Sequence, residues 1–570
     1  MKKFKLLGTM SLSAAMLLSV ITACAPSTAK PGEGEVVIDN KKTTLFVSNF
    51  NGAYGDSWLK AAASRYEELH ANDSYEAGKK GVQIYIDNGK EDAKTLIAGI
   101  NGSRDDVFFT EWLYYYDVVN SGKVMDLTDI VTEQLTDYGE SVSIEDKLTS
   151  EQKNYYSIDG HYYALPHYQA FSGITYDVEL FEDELLYFAY DKDNGNDGFI
   201  TSSEDKRAYG PDGKTGVIGG VDYSSDDGLP ATYDDFFKLC AKMREKGITP
   251  LLWTGSYPIY YQWFSTALYA DYEGLENMML NYTFDGTADD IVTSFDTDGN
   301  PILSSKEIKP STGYELAKQA GRYYSLKFTE GIVNGNYTDA RCFGTLEFIE
   351  AQKVYINGGY GGNQRIGMFI ESNYWENEVS DANGFATMVK QYGQKAGRLQ
   401  RKFSMMPFPK ATEEQVGEKN TLVDFLMSGA FIKKDIADYK KELALDFLQY
   451  LYTDESLNEW TAITGTPKSV KYDLTEETES QISYFSKSVF ALRNASDVVY
   501  PYSNSALYKN NASSFSIESF WNASVSNTPY SYPQTAIKKY RVSARDYFNG
   551  IAAVNNQNAW NNSYSKYFEN

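Results

Sequence analysis

An acidic, glycine-containing run, "DKDNGNDGFITSSED" at residues 191–205, has the residue types that bind a hard metal ion. A twelve-residue calcium loop takes oxygen ligands from its positions 1, 3, 5, 7, 9 and 12. With Asp193 at position 1, the further ligands are Asp197, the Phe199 carbonyl, Thr201 and Glu204. Position 3 is Gly195, which leaves one ligand missing. The pattern favours a structural calcium site over the alternative, a solvated acidic turn.

Aromatic side chains are the second candidate for chemistry, because Tyr, Phe and Trp make up 15% of the chain. Three runs set rings beside carboxylates and amides: "EWLYYYD" (111–117), "WTGSYPIYYQWF" (253–264) and "ESNYWENE" (371–378). Flat rings cover the C–H faces of sugars, while carboxylates and amides bind hydroxyl groups. The runs therefore predict a carbohydrate cleft, with aromatic core packing as the alternative for each ring.

Enzyme chemistry has weaker support. The three histidines are His70, His161 and His167, and the last two are six residues apart, which is not the spacing of a helical metal pair. A zinc site and a Ser-His-Asp hydrolase are thus poorly supported. With 78 acidic residues, a carboxylate pair for glycoside hydrolysis stays open, although no two of them stand out.

Alternating strands and helices must position these residues. "TTLFVS" is a predicted strand, "WLKAAASRYEEL" a helix with a 3.6-residue apolar period, and "GVQIYI" and "DDVFF" two further strands. Such βαβ alternation predicts a parallel sheet flanked by helices. Ligand sites in such sheets lie at the carboxyl ends of the strands.

The middle of the chain predicts longer connections and more helices. Residues 187–230 and 282–312 are rich in Gly, Asp, Asn and Ser, which is typical of loops and hairpins. Helices are predicted over 232–246, 337–357 and 436–453, the first capped by Thr232. Cys240 and Cys342 lie on apolar stripes as core residues, and the sequence leaves open whether they pair.

The first residues predict export. "MKKFK" is basic, "LLGTMSLSAAMLLSVI" is apolar, and "ITAC" resembles the bacterial lipobox. This pattern predicts a lipoprotein signal peptide over 1–23, a lipid anchor on Cys24 and a tether over 24–39. The protein would then lie on the extracytoplasmic face of the cell membrane; an ordinary signal peptide is the alternative. A net charge of −25 argues against nucleic-acid partners.

Six phrases along the mature chain resemble the extracellular solute-binding proteins (family 1) of carbohydrate ABC transporters, bacterial lipoproteins related to the maltose-binding protein. They occur in that family's order: "FNGAYGDSWLKAAASRYEE", "DVFFTEWLYYYDVVNSGKVMDLTDIV", "IDGHYYALPHYQAFSGITYDVELFE", "GLPATYDDFFKLCAKMREKGITPLLWTG", "IGMFIESNYW" and "SGAFIKKDIADYKKELALDFLQYLYTDESLNEWTAITGTPKSV". Each phrase alone is weak evidence. The evidence for the resemblance is that all six phrases follow the family's order after a lipobox.

The resemblance implies an α/β protein with the two-lobe fold of periplasmic binding proteins. Each lobe is expected to be a mostly parallel sheet flanked by helices, and hinge crossovers join the lobes. Lobe 1 would comprise 40–165 and 410–458, and lobe 2 would comprise 166–409 and 459–570. The ligand would lie between the lobes of a monomer, and closure would be a hinge motion.

The resemblance also implies a function. The protein would capture a carbohydrate, expected to be a neutral oligosaccharide, and deliver it to the permease subunits of an ABC importer without making or breaking a bond. The expected ligand-binding residues are Tyr54, Asp56, Glu111, Trp112, His167, Tyr168, Trp253, Tyr260, Trp263, Asn373, Tyr374 and Trp375. The alternatives are a secreted glycoside hydrolase and a surface glycan-capture protein that works without a transporter.

Overall fold

A computed structural model of the protein describes residues 37–190, 198–219, 221–380, 384–510 and 520–568. The strands are β1 Thr43–Phe50, β2 Val82–Gly89, β3 Val107–Thr110, β4 Ser157–Ile158, β5 His161–Tyr162, β6 Leu165–Pro166, β7 Ser172–Asp177, β8 Val217–Ile218, β9 Val221–Asp222, β10 Thr249–Leu252, β11 Gly286–Phe295, β12 Pro301–Ile308, β13 Ile366–Ser372, β14 Phe403–Met406, β15 Thr421–Val423, β16 Gly429–Ile432, β17 Asp497–Val499, β18 Ala523–Val525 and β19 Thr528–Tyr530.

The α-helices are α1 Ser57–Leu69, α2 Ala93–Gly99, α3 Tyr115–Asn120, α4 Thr128–Thr132, α5 Ile144–Lys147, α6 Ser150–Tyr156, α7 Val178–Asp183, α8 Tyr233–Glu245, α9 Pro258–Thr283, α10 Ala320–Asn334, α11 Phe348–Ile356, α12 Trp375–Glu378, α13 Phe385–Tyr392, α14 Asp438–Tyr450, α15 Asp454–Thr464, α16 Glu476–Gln481, α17 Tyr484–Ala495, α18 Ala506–Lys509, α19 Pro533–Tyr540, α20 Ala544–Val554 and α21 Gln557–Phe568. Shorter 3₁₀ turns include Pro310–Lys318 and Ala340–Phe343.

Two sheets organise the chain. The first has the order β2-β1-β3-β16-β6, and the second has the order β10-β13-β7-β14. Each sheet has its own buried hydrophobic cluster, and we call the two sheets with their flanking helices the first and the second lobe; Trp263 and Tyr374 belong to the second lobe by chain position but pack in the first cluster. The predicted α/β architecture, with a sheet at the centre of each lobe, is confirmed.

Both sheets are mixed rather than mostly parallel. β1 runs parallel to β2 and β3, but β16 runs antiparallel to β3. In the second sheet β10 and β13 are parallel, whereas β7 is antiparallel to β13 and to β14. β7 and β16 each start directly after a segment that crosses between the lobes. Each therefore starts at the edge of its sheet where β13 or β3 ends, and it runs antiparallel to that strand.

A third buried cluster extends the second lobe. It joins the later part of α9, the hairpin β11–β12 and the helices α10, α20 and α21. α9 can turn into this cluster because Gly274 breaks its helical geometry with φ 69° and ψ 174°. An L side chain rarely adopts this conformation, so glycine suits the kink. The turn of this hairpin, at residues 296–300, lies within 282–312, the region predicted to form loops and hairpins.

Helix ends follow local sequence rules in some places and tertiary context in others. Thr232 caps α8 as predicted, since its side chain accepts a hydrogen bond from the Asp235 amide. The predicted helix over 337–357 is wrong in its first half: α11 begins only at Phe348. Gly344 interrupts the run with φ −111° and ψ −140°, and a separate 3₁₀ turn precedes it.

The boundary expected at residue 458 falls inside α15. Trp460, on the same helix, packs in the cluster of the first lobe, 4.9 Å from the ring of Trp58. Because a helix packs as one unit, the whole of α15 belongs to the first lobe. Cys240 and Cys342 are both buried as free thiols, so they do not form a disulfide.

Candidate functional site

Three chain segments cross between the lobes side by side, at residues 166–171, 424–428 and 466–470. The His167 amide donates to the Ser428 carbonyl at 3.1 Å, and the Gln169 amide donates to the Pro467 carbonyl at 3.2 Å. These backbone hydrogen bonds join the crossovers into one hinge. Such a hinge lets two rigid lobes rotate about a few linking residues.

Asp424 ties all three crossovers together. Its Oδ1 accepts from the Ala170 amide at 3.2 Å, and its Oδ2 accepts from the Ser469 hydroxyl at 3.3 Å. Burial raises the pKa of the Asp424 carboxyl to about 7, although both hydrogen bonds and the nearby Arg493 favour its charged form. The hinge thus contains a carboxyl group that titrates close to neutral pH.

Where the lobes meet, tyrosines surround a glutamate that follows β3. The Tyr168 hydroxyl donates to Glu111 Oε1, and the ring of Tyr54 lies 4.2 Å from that of Tyr168. Tyr374, from the second lobe, lies 5.6 Å from Tyr54. Burial raises the pKa of Glu111 to about 7 and also raises the pKa of all three tyrosines. This interlobe cluster, Tyr54, Glu111, Tyr168 and Tyr374, supplies rings and hydrogen-bonding groups from both lobes.

A second group of rings also spans the lobes. Trp112 follows the first-lobe strand β3, while Tyr260 and Trp263 lie on the first turns of the second-lobe helix α9. Trp112 and Trp263 are 6.4 Å apart, Tyr260 and Trp263 are 5.0 Å apart, and Phe425 of the hinge stacks on Trp263 at 4.3 Å. Trp112 has φ 55°, a left-handed conformation that costs a non-glycine residue energy and is frequent at functional sites.

Comparison with known proteins agrees with this geometry. A family model described as "Bacterial extracellular solute-binding protein" matches residues 51–457, which cover two of the three crossovers and most of both lobes. The chain belongs to this family. No curated protein sequence matches it.

Solved structures share the fold of this solute-binding protein. The apo form of RafE from Streptococcus pneumoniae aligns with a TM-score of 0.52 at 12% identity and covers 92% of this chain and 100% of its own. The cyclic alpha-maltosyl-1,6-maltose binding protein from Arthrobacter globiformis aligns with a TM-score of 0.50 at 12% identity, covering 91% and 100%. At such identities the likeness establishes the two-lobe fold.

Seven of the residues expected to bind ligand lie together at the lobe interface: Tyr54, Glu111, Trp112, Tyr168, Tyr260, Trp263 and Tyr374. Asn373 lies beside them but serves the hinge. Its Oδ1 accepts from the Phe171 amide at 3.0 Å, and its Nδ2 donates to the Gln169 carbonyl at 3.2 Å. Asn373 therefore positions a crossover strand.

The structure places two of the expected tryptophans in the core of the second lobe. Trp375 is fully buried, donates from Nε1 to Thr175 Oγ1 at 3.2 Å and meets Phe369 edge to face at 5.8 Å. Trp253 packs 4.7 Å from Tyr261. Trp375 points away from the interface because the chain turns into α12 just after Tyr374 and directs this ring onto the sheet, whereas Trp253 packs between Tyr261 and Phe343.

Two further expected residues have other partners in the first lobe. Asp56 accepts from Asn88 Nδ2 at 2.6 Å and pairs with Lys60 at 3.0 Å. His167 is buried beside Lys468, with 2.6 Å between His167 Nδ1 and Lys468 Nζ. Burial, and then the charge of Lys468, lowers the pKa of His167 well below its usual value. Asp56 thus pairs within the first lobe, and His167 pairs with a residue of the third crossover.

Sequence reasoning missed the acids of the second lobe at this interface. Glu371 lies at the end of β13 and Glu378 at the end of α12. Glu371 is the penultimate residue of the buried strand β13, and this position could have indicated it, because ligand sites of α/β sheets lie at strand ends. Phe425 carries no comparable signal, because its role depends on where the hinge places it.

The predicted calcium site is only partly within the described residues. Asp193 and Asp197 lie outside them. Phe199 is buried, Glu204 is exposed, and the Thr201 amide and hydroxyl donate to Asp205 Oδ2 at 2.7 and 2.8 Å. The part of the chain that the structure describes contains no cluster of three or more potential metal ligands. Calcium binding therefore stays a prediction.

The N-terminal signal peptide, Cys24 and most of the tether also lie outside the described ranges. Among the helices that the structure describes, none combines the length and the apolar character needed to cross a membrane.

Proposed function

We propose that this solute-binding protein captures a carbohydrate between its lobes and presents it to the permease of an ABC importer. The observation that carries the proposal is the meeting of rings from both lobes, Trp112 facing Trp263 and Tyr54 beside Tyr374. Ring faces and hydroxyl-binding carboxylates form the type of wall that suits a sugar chain. RafE was solved with raffinose, and another structural relative comes from work on xylan utilization.

Binding without catalysis is part of the proposal. A ligand that contacts both lobes stabilises the closed form, and release reopens the hinge. We also propose that Cys24 carries a lipid that holds the protein on the extracytoplasmic face of the membrane. Cys24→Ser should move the mature protein from the membrane fraction into the medium. Retention of the variant in the membrane fraction would refute the anchor.

A ligand screen tests the central claim. Oligosaccharides of the raffinose, xylan and maltose series should be compared by thermal shift and then by calorimetry. A ligand present at 100 times its dissociation constant adds about 2.7 kcal/mol to the free energy of unfolding. Bound sugar should be recovered unhydrolysed in a one-to-one complex. Turnover would support the glycoside hydrolase alternative, and stabilisation by peptides but by no sugar would overturn the proposal.

Two variants locate the site. Trp112→Ala should weaken sugar binding by tenfold or more, because the half-buried ring lies between the lobes. Tyr540→Ala removes an exposed ring, 61% accessible, far along the chain in α19, and serves as the matched control. Equal affinities for the two variants would show that the sugar binds elsewhere.

A further inference from the structure

Residues 500–510 follow β17 and contact both lobes. β17 pairs in parallel with β15, whose Leu422 packs in the cluster of the second lobe, and Leu507 is buried in the third cluster. Between these two anchor points, Tyr500 and Tyr502 are buried in the cluster of the first lobe. The segment therefore starts and ends on the second lobe and reaches the first lobe in between. We call residues 500–510 the interlobe strap.

Tyr502 makes the main contact of the strap with the first lobe. Its ring stacks on that of Tyr155 in α6, with ring centroids 3.8 Å apart and planes inclined by 20°. Both side chains are buried, with 5% of Tyr502 and 3% of Tyr155 exposed. In a second contact, Asn120 Nδ2 at the end of α3 donates to the Lys509 carbonyl at 3.3 Å. Buried, stacked rings stabilise a contact because their apolar surface is removed from water.

The strap is fixed more firmly to the second lobe. The hydroxyls of Ser503 and Ser505 both donate to the Tyr282 carbonyl at the end of α9, at 2.7 and 3.0 Å. Asn510 Nδ2 donates to the Tyr567 carbonyl of α21 at 2.7 Å. Together with the pairing of β17 and β15, these bonds hold both ends of the strap. If the lobes separate, the contacts with the first lobe are therefore the ones that break.

The two lobes are in contact in this structure. Asn377 Nδ2, in α12 of the second lobe, donates to the Ala53 carbonyl of the first lobe at 2.8 Å. Opening about the hinge would rotate the second lobe and the strap away from Tyr155 and would expose both stacked rings. Because exposure of apolar ring surface to water costs free energy, the strap opposes opening.

We propose that the interlobe strap is a latch that keeps the ligand-free protein near its closed conformation, and that the cleft opens when Tyr502 leaves Tyr155. An aromatic pair of this kind changes the ratio of closed to open molecules by about two- to tenfold. The strap lies beyond residues 51–457, so the family match does not account for it. The latch sets how often an empty cleft is open to a ligand, which is a property separate from the identity of that ligand.

Small-angle X-ray scattering of the ligand-free protein tests the latch, in a Cys24→Ser background that has no cysteine for a lipid. The parent protein should scatter as closed molecules. Tyr502→Ala should increase the radius of gyration and give a profile that requires a mixture of closed and open molecules. Tyr502→Phe keeps the stacked ring, so it is the matched control and should scatter like the parent. Equal radii of gyration for Tyr502→Ala and Tyr502→Phe would overturn the latch and leave the carbohydrate function standing.

A variant on the first lobe tests the same contact from the other side. Tyr155→Leu keeps an apolar side chain in the core but removes the stacked ring, so it should also increase the radius of gyration, and it provides the test if Tyr502→Ala does not fold. The double variant should be no more open than the more open single variant, because both substitutions remove one shared contact. An unchanged radius in Tyr155→Leu, or a further expansion in the double variant, would refute the assignment of the latch to this pair of rings.

Discussion

Asp424 makes the stability of the hinge depend on pH. Its carboxyl has an ordinary pKa of 3.8 and a pKa of about 7 in the folded protein, with burial as the main cause. Between these values the folded state holds a proton that the unfolded state has released. Stability contributed by that proton is therefore present at low pH and is lost as pH rises through about 7.

The size of the effect follows from the shift. One pKa unit corresponds to about 1.4 kcal/mol, so the rise from 3.8 to about 7 amounts to about 4 kcal/mol in total. About 3 kcal/mol of it falls between pH 5 and pH 8. Asp424→Asn removes the titration but keeps an oxygen that can accept from the Ala170 amide and an amide that can donate to the Ser469 hydroxyl.

Urea unfolding followed by tryptophan fluorescence at pH 5 and pH 8 measures the difference. From pH 5 to pH 8, wild-type protein should lose about 3 kcal/mol more than Asp424→Asn does. Asp285→Asn, an exposed aspartate outside the hinge, should follow the wild-type curve. Parallel pH dependence in wild type and Asp424→Asn would show that Asp424 is ionised in the folded hinge and would refute the reasoning.

Three further outcomes are expected. Trp375→Ala should lower the free energy of unfolding by about 3–5 kcal/mol because it leaves a cavity in the core, whereas Trp112→Ala should lower it far less and should weaken ligand binding. Urea denaturation and ligand calorimetry measure both effects, and a larger stability loss for Trp112→Ala would contradict the assignment. Burial lowers the pKa of Lys468, so the free energy of unfolding decreases as pH falls below 10.5 and the unfolded lysine takes up a proton. Lys468→Met should therefore raise the melting temperature at neutral pH, and the increase should shrink toward pH 10. An increase that does not change with pH would contradict this reasoning. Thr232→Ala should lower the free energy of unfolding by about 1 kcal/mol because it removes the cap of α8, while Thr232→Ser keeps the cap. Equal melting temperatures for the two variants would show that the cap does not stabilise the protein.

Local rules explain why parts of this architecture could be predicted. Apolar periodicity and a threonine cap placed α8 within a residue at each end, and strand–helix alternation indicated the first sheet. The resemblance to the solute-binding family placed Glu111 and Trp112 in a ligand-side loop, and they lie directly after β3. Local rules failed at 337–347, where Gly344 and a 3₁₀ turn interrupt an apolar pattern that looks helical.

The candidate site was predicted only in part, because side-chain direction depends on tertiary packing. Tyr374 and Trp375 are neighbours in an aromatic run, yet Tyr374 faces the other lobe while Trp375 fills the core. A one-residue step into a helix turns a side chain by about 100°, so composition alone does not separate the two roles. The same holds for His167, whose partner Lys468 is 301 residues away in sequence.

The sequence by itself determined the class of this protein: an α/β chain whose strands, helices and ordered motifs belong to the solute-binding family, with rings and acids at strand ends. These properties are local, and each is written in a few consecutive residues. Only the tertiary structure decided which rings meet across the lobes and that the sheets are mixed. Those facts depend on how three distant crossovers align in one hinge, and no local pattern records that alignment.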